Sequence, residues 1–122
     1  MQEKPRDIKE RTFAFSVRVV QLCRELEKQP GTSRTLSNQL LRSGTSIGAN
    51  VEEAHGGQSR ADFIAKLSIA CKEAREANYW LRLLSASDTL PASHLESITD
   101  EASQLIAILT SIIRNTKKNL EL

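Results

Sequence analysis

Apolar residues return along this chain in alternating steps of four and three, and they do so in four separate runs. The first run covers about residues 7–28, on Ile8, Thr12, Phe15, Val19, Leu22 and Leu26. The second covers about 33–55, on Leu36, Leu40, Ser43, Ile47, Asn50 and Ala54. The third covers about 60–86, on Phe63, Leu67, Ala70, Ala74, Ala77, Leu81 and Leu84, and the fourth about 91–119, on Leu95, Ile98, Ala102, Leu105, Leu109 and Ile112. Such spacing is the 3.5-residue period of packed helices, not the two-residue alternation of strands. The interruptions fall at Pro30-Gly31, Gly56-Gly57 and Asp88 to Pro91, where proline and glycine end a helix for stereochemical reasons. Short connections force consecutive helices to run antiparallel, which predicts an all-α, up-down-up-down four-helix bundle occupying residues 1–122 as one domain.

Local signals sharpen the ends. Ser59 with Asp62 three residues on, and Ser93 with Glu96, have capping-box spacing; Pro91 suits the first turn of the fourth helix. Arg114, Lys117 and Lys118 favour the negative pole at its end. Gly44 and Gly48 stand four apart inside a helix and predict a close backbone approach, as does the alanine seam Ala70, Ala74 and Ala77.

Composition narrows the class. The chain has 39% hydrophobic, 26% charged and only 4% aromatic residues, an ordinary globular balance with few of the aromatics of all-β domains. No run of roughly 18 apolar residues lacks a charge, so no membrane span is predicted. Met1 to Asp7 carries both signs of charge and no apolar signal core, which makes a cytoplasmic location the expectation. Cys23 and Cys71 sit within helical patterns and read as reduced core thiols rather than a disulfide framework.

Candidate chemistry is sparse. Glu52 and His55 have the Glu-x-x-His spacing of di-iron bundles, but such a site needs a second copy, and His94 has Pro91 where the second glutamate would stand. No nucleophile elbow or phosphate-cradling loop occurs, so no catalytic residue, metal or cofactor is expected. Asn50 falls on the apolar seam, with Ser43, Ser46 and Glu53 near it on the second helix and Glu73, Glu76 and Trp80 on the third. These seven predict a polar network that fixes helix register.

The net charge of +2 is too small to imply nucleic-acid binding, yet residues 1–42 hold nine basic and five acidic side chains. Arg6, Lys9, Arg11, Arg18, Arg24, Arg34 and Arg42 form the candidate surface, with Arg18, Arg24, Arg34 and Arg42 the expected contacts to RNA or DNA. No aromatic residue interleaves with them, which argues against base stacking. Phe13, Val17 and Val20 make a second apolar stripe about 150° from the first helix's core stripe, and Ile69 and Leu83 lie off the seam of the third. These five predict a homo-oligomer interface in which one copy's first helix packs on another's third, a contact between unlike surfaces that propagates around a ring.

The central block Leu41-Arg42-Ser43-Gly44-Thr45-Ser46-Ile47-Gly48-Ala49-Asn50-Val51-Glu52-Glu53-Ala54 resembles the signature of the four helix bundle protein family, also called the 23S rRNA intervening-sequence protein family. Ser59 to Leu67 and Cys71 to Leu84 are similar to that family's later blocks, and the likeness extends over about residues 8–115. Ala77 departs from it, standing where members commonly carry threonine. The resemblance implies a homopentameric ring with no established enzymatic activity. It also implies kinship to retroelement accessory proteins that bind nucleic acid and a reverse transcriptase through basic surfaces.

Overall fold

The computed structural model describes residues 7–120, which form four helices: α1 (Ile8–Leu26), α2 (Thr32–His55), α3 (Arg60–Ala86) and α4 (Ala92–Leu120). They pack as an antiparallel four-helix bundle in which α1 lies on α2, α2 on α3 and α3 on α4. The α4–α1 side closes the square with much thinner contact, and the backbones of the diagonal pairs stay apart across the shared core. Among the described residues there is no strand, and no helix is long and apolar enough to cross a membrane.

Each helix end has an identifiable cause. Asp7 accepts a hydrogen bond from the Glu10 amide at 2.9 Å and caps α1. That helix stops at Leu26, two residues earlier than its spacing suggests, because Pro30 pushes Gln29 out of helical geometry. The Gln29 amide then closes on the Leu26 carbonyl in a tighter turn. Ser33, expected to open α2, instead donates to that same Leu26 carbonyl at 2.8 Å, and Gly31 at φ 84° takes the N-cap. Ser59 accepts from the Asp62 amide at 3.0 Å as its spacing predicts. Ser93 makes no comparable cap among the described residues, and α4 starts directly after Pro91.

The α3 terminus is a Schellman motif built without glycine. The Asp88 amide donates to the Ser85 carbonyl and the Thr89 amide to the Leu84 carbonyl, with Asp88 at φ 57°. A residue with a Cβ is strained there, so Asp88→Gly should stabilise the fold by about 0.5–1 kcal/mol. A lower urea midpoint for the variant would mean that the Asp88 side chain contributes more than the strain costs.

The core runs the length of the bundle on Phe15, Val19, Leu26, Leu40, Ile47, Val51, Leu67, Leu81, Leu84, Leu95, Leu105 and Leu109, all essentially inaccessible. The stripes read from sequence for α1, α3 and α4 are those observed, with Ile8, Leu22, Phe63 and Ile112 at the half-buried margins. On α2 the buried face is rotated: Ser37 and Val51 take the positions assigned to Leu36 and Asn50. The reason is the closeness of α1. A Cβ placed on Gly44 would lie 2.8 Å from a Val19 methyl, and one on Gly48 would lie 3.2 Å from the Thr12 carbonyl oxygen. The α1-facing side of α2 is therefore made of Ser33, Ser37, Gly44 and Gly48, small residues that a bulk-weighted pattern passes over. Ser37 and Cys23 exchange bonds across this seam: the Cys23 thiol donates to the Ser37 carbonyl and the Ser37 hydroxyl to the Cys23 carbonyl. Burial pushes the Cys23 thiol up from its ordinary range, so it stays protonated and inert. Both cysteines are free.

Candidate functional site

The polar residues expected to form one network separate into four local arrangements. Ser43 is buried, and its hydroxyl donates to the Gln39 carbonyl one turn back. Asn50 is half-buried and donates to the Ser46 carbonyl and hydroxyl on its own helix, at 2.9 and 3.1 Å. A bond within one helix fixes no register between helices. Glu53 is exposed and pairs with Lys66 of α3 at 3.0 Å. Only Glu73, Glu76 and Trp80 come together across helices, and the residue that joins them is Arg42.

Arg42 reaches from α2 to both Glu73 and Glu76 on α3, while the Trp80 indole N–H donates to Glu76 at 3.1 Å. Glu73, Glu76 and Trp80 share the flank that heptad spacing predicts, and Arg42, an expected nucleic-acid contact, is the cation that completes their cluster. The indole bond, with Arg42 adding to it, holds the Glu76 carboxyl below the ordinary carboxylate range against the opposing effect of its partial burial. A depressed folded-state value stabilises the fold above the ordinary carboxyl range. That contribution is lost as pH falls through the lower folded-state value. Glu76→Gln should thus lower the urea midpoint at neutral pH, and the gap to wild type should shrink towards about pH 3. A gap that persists in acid would place the effect in packing rather than charge.

The other candidate arginines are also largely engaged. Arg18 donates to Ser97 of α4 at 3.0 Å, and Arg34 donates to the Glu27 carbonyl at 3.2 Å, just past the end of α1. Arg11 makes a two-pronged pair with Glu101 of α4, at 2.6 and 3.1 Å, and reaches Gln104 at 2.9 Å. Of the four expected nucleic-acid contacts, only Arg24 stands in solvent without a hydrogen bond or ion pair among the described residues. Arg6 lies outside the described residues.

The five residues proposed for an interface fall in two places. Phe13 is 66% exposed and Val17 42%, with Val20 half-buried beside them. Phe13 forms one wall of an apolar groove of about 280 Å³ along the α1–α2 seam, with Gly48 and Ala49 among its lining residues. On α3, Ile69 is 42% exposed and Leu83 half-buried. They stand seven residues before and after Glu76, on the flank that faces Arg42 of α2. The two apolar patches thus lie on adjacent faces of the bundle with α2 between them, not on opposite faces.

His55 donates through Nδ1 to the Val51 carbonyl at 2.9 Å, and its ring meets Phe63 edge to face. Among the described residues no three His, Cys, Asp or Glu side chains converge as a metal site would require, and no serine or cysteine hydrogen-bonds to a histidine. An open groove of about 490 Å³ between α3 and α4 is lined by residues such as Arg82, Ser85, Glu96, Thr99 and Asp100.

A crystal structure of a protein of unknown function from the S23 ribosomal protein family of Bacteroides thetaiotaomicron is 44% identical to this chain. The match covers 88% of this chain and 98% of that one, with a TM-score of 0.81. No curated protein matches the sequence. The family model described as 23S rRNA-intervening sequence protein matches residues 4–111, nearly the whole bundle, and this chain belongs to that family.

Proposed function

We propose that this protein is a non-enzymatic building block that assembles with copies of itself into a closed ring and serves as a scaffold or adaptor. The observation that carries the reading is the apolar surface left uncovered on both sides of α2: Phe13 and Val17 beside the Gly48 groove on one face, and on the next Ile69 and Leu83, about 21 Å apart along α3 with Glu76 between them. Apolar side chains gathered in this way on a small bundle cost free energy in water and are covered when a partner is present. The patches differ in shape, one a groove with a wall and the other a ridge on a single helix, so the contact is head to tail. Unlike patches on adjacent faces turn each copy relative to the last, whereas patches on opposite faces would string copies into a rod. The turn leads back to the start after a few copies, and α2 faces the inside of the ring. Five copies is the number that the family resemblance implies.

Phe13→Glu combined with Val17→Glu places two charges in this contact and should give a folded, helical monomer in size-exclusion chromatography with light scattering. Retention of the wild-type assembly by the double variant would rule this interface out.

A further inference from the structure

Cross-helix bonds place the groove beside Phe13 and the two apolar residues of α3 on one scale of height along the bundle. Arg42 of α2 pairs with Glu73 of α3, and Glu53 of α2 pairs with Lys66. The α2 stretch 42–53 therefore runs beside the α3 stretch 66–73. On α2 the groove is lined by Thr45, Gly48, Ala49 and Glu52, all inside that stretch. Ile69 lies between Lys66 and Glu73 and is level with the middle of the groove. Leu83 comes ten residues after Glu73, about 15 Å further along α3, and is level with the opposite end of the bundle.

We propose that Ile69 is the side chain that seats in the neighbouring copy's Phe13 groove, and that Leu83 takes no part in the contact. This seating rests on the ring proposed above and fixes its register. Both faces flank α2, so the rotation that carries one copy to the next turns about an axis roughly along the helices. A closed ring adds no shift along its axis, because any shift would accumulate into an open helix of copies. Contacting points must then stand at equal height, and of the two apolar residues only Ile69 meets that condition. The surrounding charges agree. Ile69 is 42% exposed and stands between two ion pairs, Lys66–Glu53 and Arg42–Glu73, that close within one copy. The groove has its own closed pair at the rim, Lys9 and Glu52, 3.8 Å apart. Seating thus covers an aliphatic side chain and the Phe13 ring without stranding a charge, as an anchor in a pocket with a polar rim does.

Size-exclusion chromatography with light scattering over a dilution series, together with cysteine cross-linking, tests the register. Ile69→Glu should keep the wild-type circular dichroism and raise the concentration at which the assembly dissociates by about tenfold or more. Leu83→Glu should leave that concentration unchanged. Ala49→Cys with Ile69→Cys, treated with glutathione disulfide, should give a ladder of covalent oligomers that ends at the size of the native assembly. Cys23 and Cys71 are buried and do not compete. Ala49→Cys with Leu83→Cys should give no ladder. A wild-type-sized assembly that tolerates Ile69→Glu, or one that cross-links through position 83 and not 69, overturns this seating and leaves the ring reading standing. A wild-type protein that elutes as a monomer at every concentration overturns both, and the groove then serves a different protein.

Discussion

Gly44→Ala is expected to destabilise the bundle by about 1–3 kcal/mol, although alanine is the better helix former by about 1 kcal/mol. The cause is steric. The added Cβ would sit 2.8 and 2.9 Å from the two Val19 methyl carbons, whereas carbon atoms pack best at roughly 3.5–4.0 Å. Val19 is fully buried and cannot swing aside, so α1 and α2 must separate along a seam that otherwise excludes water. Separation would also strain the Cys23–Ser37 exchange a few residues further along.

The same reasoning gives a sharper form. Val19→Ala alone leaves a cavity beside Gly44 and should cost about 2–3 kcal/mol. Combined, the two substitutions fill one another's defect, and the double variant should be more stable than the sum by at least about 1 kcal/mol. Urea unfolding at one fixed protomer concentration measures this, because assembly shifts apparent stability with concentration. Strict additivity would show that the Gly44–Val19 approach does not limit how close the helices come.

This close approach was readable because glycine four residues from glycine has few other uses inside a helix. The rotation of α2 was not readable. Leu36 and Asn50 occupy good heptad positions, and only the presence of α1 at short range makes Ser37 and Val51 the inward residues. Small polar side chains carry little hydrophobic signal even when they are the best fit to a neighbouring backbone. Asn50 illustrates the consequence, since a seam assignment suggested a register-setting amide where the side chain folds back on Ser46.

Long-range pairing was equally hidden. Arg11 and Glu101 are 90 residues apart, and no spacing rule selects that partner from among the other carboxylates. The charged residues of α1 and α2 looked like a free basic surface because sequence shows the charge but not its counter-charge. Arg11, Arg18, Arg34 and Arg42 instead bridge or cap helices.

The Arg11–Glu101 pair leads to the second expected result. It lies on the α1–α4 side, where helix contact is thinnest, and both side chains are mostly withdrawn from water, at 21% and 16% exposure. The hydrogen bond to Glu101, with the charge of its carboxylate adding to it, pushes the Arg11 guanidinium above even its usual value. Glu101→Leu leaves a partly buried cation with only Gln104 as acceptor and should cost about 1–3 kcal/mol. Arg11→Met with Glu101→Leu removes the stranded charge and should recover most of that loss, because an apolar pair of similar size packs without the desolvation cost. The loss should also be local. With that pair broken, the thin α1–α4 side keeps only weaker links such as Arg18–Ser97, and the amides of α1 should exchange with solvent faster than those of α2 and α3. Since α1 carries Phe13 and Val17, the proposed ring should dissociate at a higher protein concentration in Glu101→Leu than in wild type. Hydrogen exchange that quickens equally in all four helices would show that the pair stabilises the whole bundle and does not latch α1. An unaltered assembly in that variant, with α1 loosened, would separate the interface from α1.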